Sequence, residues 1–234
     1  MDLSSLYKSG KTGFTGYRIP ASFELAGKSF DVAFDGEAGV RLVFAAAPKL
    51  EVSTGAGGAR PYKCVKIGPS MFFVSFTDGS ICTFLAVDTE NNLVTRLVTD
   101  ASAKTIVSLG VMDAGKSEVR HIATDDFAGN IFEWAFGPES AYIASVKYGE
   151  KSVSVSLPFA KTAVPGITVS DFAAVRLEHG VYLQTAVVVI DGQAFSVALA
   201  TDLNNLLCMG GIFGVQAGNI THETIGGYGN AAKL

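Results

Sequence analysis

The side chains able to move a proton are few, and their neighbours are apolar. His121, His179 and His222 are the only imidazoles. None has a companion at metal-ligand spacing and no cysteines are paired, so no metal site is expected. His121 stands just before the first strand of the second half, and His179 lies in the turn Glu178-His179-Gly180. Both positions suit a general acid or base at the opening of a barrel, against the simpler reading of a solvated turn histidine. His222 is expected on the surface. Tyr142 and Tyr182 offer phenols, and Glu133 a carboxylate among aromatic residues. Should Glu133 face inward, its apolar surroundings would raise its pKa and make it an acid; in the opposite phase it meets solvent or an interface. The expected catalytic set is therefore Tyr142, Tyr182, Glu133, His121 and His179. Trp134, Gln184, Tyr62 and Phe72 form the expected ligand-binding set, since flat apolar walls with one donor suit an aromatic or polyketide-like guest. No cofactor is implied. Serines lack the Gly-x-Ser-x-Gly turn of a triad hydrolase. The glycines of Gly55–Gly58 and Met209-Gly210-Gly211 do not lie between a buried strand and a helix start, where phosphates are cradled.

The elements that must position these groups come from a duplication. Ala26-Gly27-Lys28-Ser29-Phe30-Asp31-Val32-Ala33-Phe34 returns as Ala128-Gly129-Asn130-Ile131-Phe132-Glu133-Trp134-Ala135-Phe136. Val65-Lys66-Ile67, Phe72-Phe73 and Asn91-Asn92-Leu93 return as Val175-Arg176-Leu177, Tyr182-Leu183 and Asn204-Asn205-Leu206. Apolar residues alternate with small or polar ones in Phe30-Val32-Phe34 and Phe72-Val74-Phe76, the period of a strand with two unlike faces. Pairs such as Asp35-Gly36, Asp78-Gly79 and Asp191-Gly192 punctuate the runs and supply positive-φ turn residues. Strands are predicted near 29–34, 40–45, 49–54, 62–67, 71–77, 80–88 and 93–99, then 130–136, 141–147, 152–157, 170–177, 181–190, 193–201 and 206–215. A meander of this size hides one face and both edges by closing. The fold expected is all-β: two tandem lipocalin-like (calycin) antiparallel barrels, residues 1–116 and 117–234, divided within Met112–Glu118.

Composition narrows the partners. The chain of 234 residues is 48% hydrophobic and 17% charged, with 18 basic and 22 acidic side chains giving a net charge of −4. No basic stripe exists to neutralise phosphates, so nucleic acid is not an expected partner. Mean hydropathy is +0.33, yet no uninterrupted run of about 18 apolar residues suggests a spanning helix, and Met1-Asp2-Leu3 begins no signal segment. A cytoplasmic, non-membrane protein is expected, with buried thiols at Cys64, Cys82 and Cys208; a homodimer is left open.

Thr124 to Trp134, with Phe136-Gly137-Pro138-Glu139-Ser140-Ala141-Tyr142, Gly180-Val181-Tyr182-Leu183 and Gly211-Ile212-Phe213-Gly214, resembles the C-terminal half of the MoaF-like family, named for molybdenum-cofactor biosynthesis protein F. Gly27-Lys28-Ser29-Phe30 and Met71 to Phe76 resemble that family's N-terminal half. The resemblance implies a pair of calycin-type barrels and little about chemistry. The departures fall on polar positions. Where the family pattern has Glu-His after Tyr142, this chain has Ile143-Ala144; Ser154-Val155 replaces Trp-His, and Val187-Val188-Val189 replaces a basic and acidic cluster.

These features lead to three expectations. The first is a cofactor-independent lyase or isomerase performing a dehydration, cyclisation or rearrangement on a small hydrophobic metabolite, with positioning supplying most of the rate. The second is a carrier of such a molecule without chemistry. The third, a part in molybdenum-cofactor assembly, would require a pterin phosphate, for which the sequence offers no cationic pocket. The polar aromatics concentrate in the second copy, which is the expected working half.

Overall fold

The computed structural model describes residues 17, 19–46, 51–54, 58–113, 120–137, 143–149, 152–156, 167–190, 192–216 and 218–231. Tyr142, Gly55–Gly57 and the stretch 114–118 of the expected domain divide lie outside them. The described residues are all-β, and the chain forms two compact units. One comprises Pro20–Asp100 with Thr105–Ile122; the other comprises Ala123–Leu234 with Ala101–Lys104 and the N-terminal residues Tyr17 and Ile19.

The first unit is a closed antiparallel barrel of eight strands in sequential order: β1 (Ser29–Phe34), β2 (Val40–Phe44), β3 (Glu51–Thr54), β4 (Arg60–Lys66), β5 (Met71–Asp78), β6 (Ile81–Asp88), β7 (Leu93–Asp100) and β8 (Thr105–Met112). Closure comes from β1, which pairs Phe30 with Leu42 on β2 and Val32 with Met112 on β8. Alternation decides what fills it. Val32, Phe34, Leu42, Phe44, Tyr62 and Phe72 share one buried cluster, while Asp31 and Arg41 pair on the exposed face at 3.4 Å. Phe34 lies flat over Gly110, where a Cβ would stand 2.8 Å from the ring, and Arg96 covers its other side at 3.9 Å.

The second unit is a nine-stranded sheet in the order β12-β11-β10-β17-β16-β15-β14-β13-β9. Its strands are β9 (Ile122–Thr124), β10 (Ile131–Ala135), β11 (Ile143–Tyr148), β12 (Val153–Ser156), β13 (Thr168–Glu178), β14 (Val181–Ile190), β15 (Gln193–Asp202), β16 (Leu207–Gln216) and β17 (Asn219–Ala231). Here β10 joins β17 through Trp134 with Gly229, as β1 joins β8 in the first unit. Among the described residues no ladder joins β12 to β13, so this second half-barrel is not closed by hydrogen bonds. Its interior holds Phe127, Phe132, Trp134, Val146, Tyr148 and Tyr182.

The duplication is explicit in the backbone. Gly27 and Gly129 take φ of 81° and 83°, and their N–H groups donate to the carbonyls of Phe44 and Tyr148, each at 2.9 Å. Asp88 Oδ1 accepts from the N–H groups of Glu90 and Asn91, and Asp202 Oδ1 from those of Asn204 and Asn205. These turns put Asn91 opposite Asn205, and Asn92 (φ 54°) opposite Leu206 (φ 50°), one residue away from the alignment of the two Asn-Asn pairs. Three strands lie beyond the sequence expectation, namely β8, β9 and β17. The signal fails at β17 because Gly226, Gly227 and Gly229 depress its β propensity. Two of them are needed: a Cβ on Gly229 would stand 2.5 Å from the Trp134 ring, and one on Gly227 3.1 Å from Phe136.

Candidate functional site

The inward faces of the second unit enclose a cavity of about 160 Å³. Trp134 on β10, Ala144, Val146 and Tyr148 on β11, and Val153 and Val155 on β12 form one side. Val169 and Phe172 on β13, Gln184, Thr185, Ala186 and Val188 on β14, and Val197 and Leu199 on β15 form another, together with Ile212 and Ile225; the buried Thr185 hydroxyl has no partner among the described residues. Apart from Tyr148, no described lining residue is acidic, basic or otherwise titratable.

One polar chain crosses this wall. The Tyr148 hydroxyl donates to Gln184 Oε1 at 2.9 Å, and Gln184 Nε2 donates to Thr201 Oγ1 at 2.8 Å. The Trp134 indole lies beside the phenol on the same wall. Burial pushes the Tyr148 phenol well above its usual pKa, and the nearby Cys208 adds to the rise. Near neutral pH Tyr148 is a phenol and hydrogen-bond donor, not a base. Below it, Phe127 packs edge-on to Tyr182 at 4.6 Å and against Tyr148 at 4.8 Å, sealing that end with aromatic carbon.

Of the expected residues, Trp134 and Gln184 meet at this cavity. The rest do not. Glu133 sits between Phe132 and Trp134 and is half-buried on the opposite face of β10, because successive strand residues alternate faces. Its inward, acid-acting phase is ruled out by the register. Tyr182 is buried, but its hydroxyl turns to Asp126 Oδ2 at 3.4 Å near Arg176, away from the cavity lining. Burial, followed by the Asp126 charge, raises its pKa. His179 is exposed in the β13–β14 turn, where its carbonyl accepts from Asn204 Nδ2 at 3.0 Å, so it is a solvated turn residue.

His121 belongs to the first unit, not to the opening of the second. It is buried, its Nδ1 lies 2.8 Å from Thr95 Oγ1, and its Nε2 has no partner among the described residues. A cavity of about 430 Å³ beside it is lined by Asp35, Leu109, Arg120 and Ile122. The ring itself lines that cavity, with Nδ1 bonded and Nε2 enclosed. Desolvation lowers its pKa to about 4, against a smaller upward pull from Asp88. Tyr62 and Phe72 lie in the first barrel's core, Tyr62 edge-on to Phe44 at 5.2 Å, and so do not share the Trp134–Gln184 site.

Tyr148 and Thr201 are absent from the sequence expectation. Extending the phase of Ala144 and Val146 by two residues reaches Tyr148, which was the available signal. Thr201 follows from Leu199 in the same way.

No curated protein matches the chain. A crystal structure described as a "putative beta-lactamase" from Burkholderia vietnamiensis aligns with 17% identity and a TM-score of 0.35, covering 41% of this chain and 97% of that one. The family model of the MoaF N-terminal domain matches residues 11–103. Over that stretch, which includes most of the closed barrel, the chain is similar to the MoaF N-terminal domain.

Proposed function

We propose that the second unit binds a small, uncharged, largely apolar molecule within its β wall. The observation that carries this reading is a cavity of about 160 Å³ whose walls are mostly aliphatic and aromatic, with one internally hydrogen-bonded polar chain and the Thr185 hydroxyl. An apolar cavity of roughly 150 Å³ in a protein core stays dry and takes up benzene, so the space suits a guest of about one ring. Ala144, Val155 and Val188, three of the positions that depart from the polar MoaF-like pattern, all line it. An apolar guest recovers the transfer free energy that a charged one would forfeit on desolvation.

The test uses Trp134, the single tryptophan of the chain. Titration with toluene is expected to change its emission saturably and to raise the thermal midpoint as mass action requires. Toluene that leaves both unchanged sinks the reading.

A cofactor-free lyase or isomerase acting on the same guest is the second reading, favoured by the Tyr148 phenol at the cavity. It requires a guest that is converted by the native chain and unconverted by Tyr148→Phe. Handling of a pterin phosphate finds less support, because no Lys, Arg or His lines the cavity among the described residues.

A further inference from the structure

The polar chain of the second unit has no counterpart in the first. Equivalent repeat positions and strand registers match Trp134, Tyr148, Gln184 and Thr201 to Val32, Phe44, Val74 and Val87. All four of those residues belong to the first barrel's hydrophobic core. The architecture therefore closes and packs without any polar side chain at these places. Burying an amide, a phenol and a hydroxyl carries a desolvation cost that valine and phenylalanine avoid. Their presence in one copy alone points to a use other than folding.

Counting donors shows what that use is. The phenol hydrogen goes to Gln184 Oε1. Of the two hydrogens on Gln184 Nε2, one goes to Thr201 Oγ1 and the other has no protein acceptor among the described residues. Gln184 lines the cavity. The amide is held in one orientation from both sides, so its spare N–H is a fixed donor on an apolar wall. A buried donor without a partner is costly, and a guest that supplies an acceptor removes that cost.

We propose that Gln184 is the specificity residue of the cavity, donating its free N–H to the carbonyl-type oxygen of a neutral, ring-sized guest. This rests on the binding function proposed above and adds the guest's polar group to it. A carboxylate would bring a charge into a wall with no cation, so the acceptor is a ketone, aldehyde, ester or amide oxygen. The donor geometry also selects against a plain hydrocarbon of the same size, because that leaves the N–H unpaired.

The experiment compares toluene, acetophenone and benzoate on the full chain by calorimetric titration, with the Gln184 side-chain amide followed by NMR. Acetophenone is expected to bind about tenfold more tightly than toluene, as one hydrogen bond to a neutral group implies, and benzoate more weakly than either. One Gln184 amide proton should move downfield with acetophenone and stay in place with toluene. In Gln184→Met the preference for acetophenone should vanish while toluene affinity changes less than about threefold. Equal affinities for toluene and acetophenone in the native chain, or an amide proton indifferent to acetophenone, overturn the assignment and leave apolar binding intact. Failure of both neutral probes to bind overturns the binding function and this inference together. The NMR reading needs no variant, so a Gln184→Met chain that does not fold leaves the outcome decided by the native protein.

Discussion

Tyr148 and Gln184 face each other across the second unit, phenol to amide oxygen at 2.9 Å, on strands β11 and β14 that share no ladder. The bond thus links opposite sides of a wall whose sheet order runs the long way round through β10 and β17 to β15.

Replacement of Tyr148 by Phe keeps the ring and leaves the Gln184 carbonyl without its donor. Loss of about 1–3 kcal/mol of unfolding free energy is expected from leaving buried polar groups unpaired. Urea denaturation followed at Trp134 measures it, and an unchanged midpoint would mean that the chain does not bear on stability.

Val188 lies on β14 opposite Val169 and Phe195 and lines the cavity. Val188→Phe should occupy the space meant for a guest, abolishing toluene uptake at a stability cost of about 1–3 kcal/mol, the range for an enlarged core residue. Toluene binding at native strength in this variant would place the guest elsewhere.

The buried His121 makes stability fall with acid. Its folded pKa, lowered to about 4, lies below the ordinary histidine value of 6.5. Between these pH values the unfolded chain binds the proton and the folded chain does not, so unfolding becomes easier as pH drops through that window. The loss approaches about 3 kcal/mol at most by pH 4. Denaturation profiles from pH 7 to 4 should slope for the native chain and flatten in His121→Phe; parallel slopes would count against it.

Cys64, Cys82 and Cys208 are all buried and free. Burial pushes the Cys64 thiol up to about 12 and raises the other two further. Ellman's reagent at pH 8 should find no reactive thiol in the folded chain and three after denaturation. Rapid reaction of one thiol under native conditions would show a local opening.

The sequence is most legible where alternation and duplication coincide. Phe30, Val32 and Phe34 announce the inner face of β1, and their copies announce that of β10, because a period of two leaves little freedom of phase. The site is less legible for the same reason. Glu133 and Tyr182 attract notice by chemical type, but phase and a neighbour decide their direction: Glu133 falls one residue out of step with the inward Phe132 and Trp134, and Asp126 draws the Tyr182 hydroxyl toward itself. Tyr148 and Thr201 sit at the ends of their runs, where strand boundaries are hardest to read. The closing strand β17 was hidden by the glycines that let it approach the rings of β10.

That approach has an evolutionary price tag of its own. The indole at position 134 can keep its place only while position 229 carries a hydrogen for a side chain, since any larger group collides with it at 2.5 Å. A larger residue at position 229 has to be answered at position 134, whose ring also lines the cavity. Packing and recognition are inherited here as one character, and neither can drift alone.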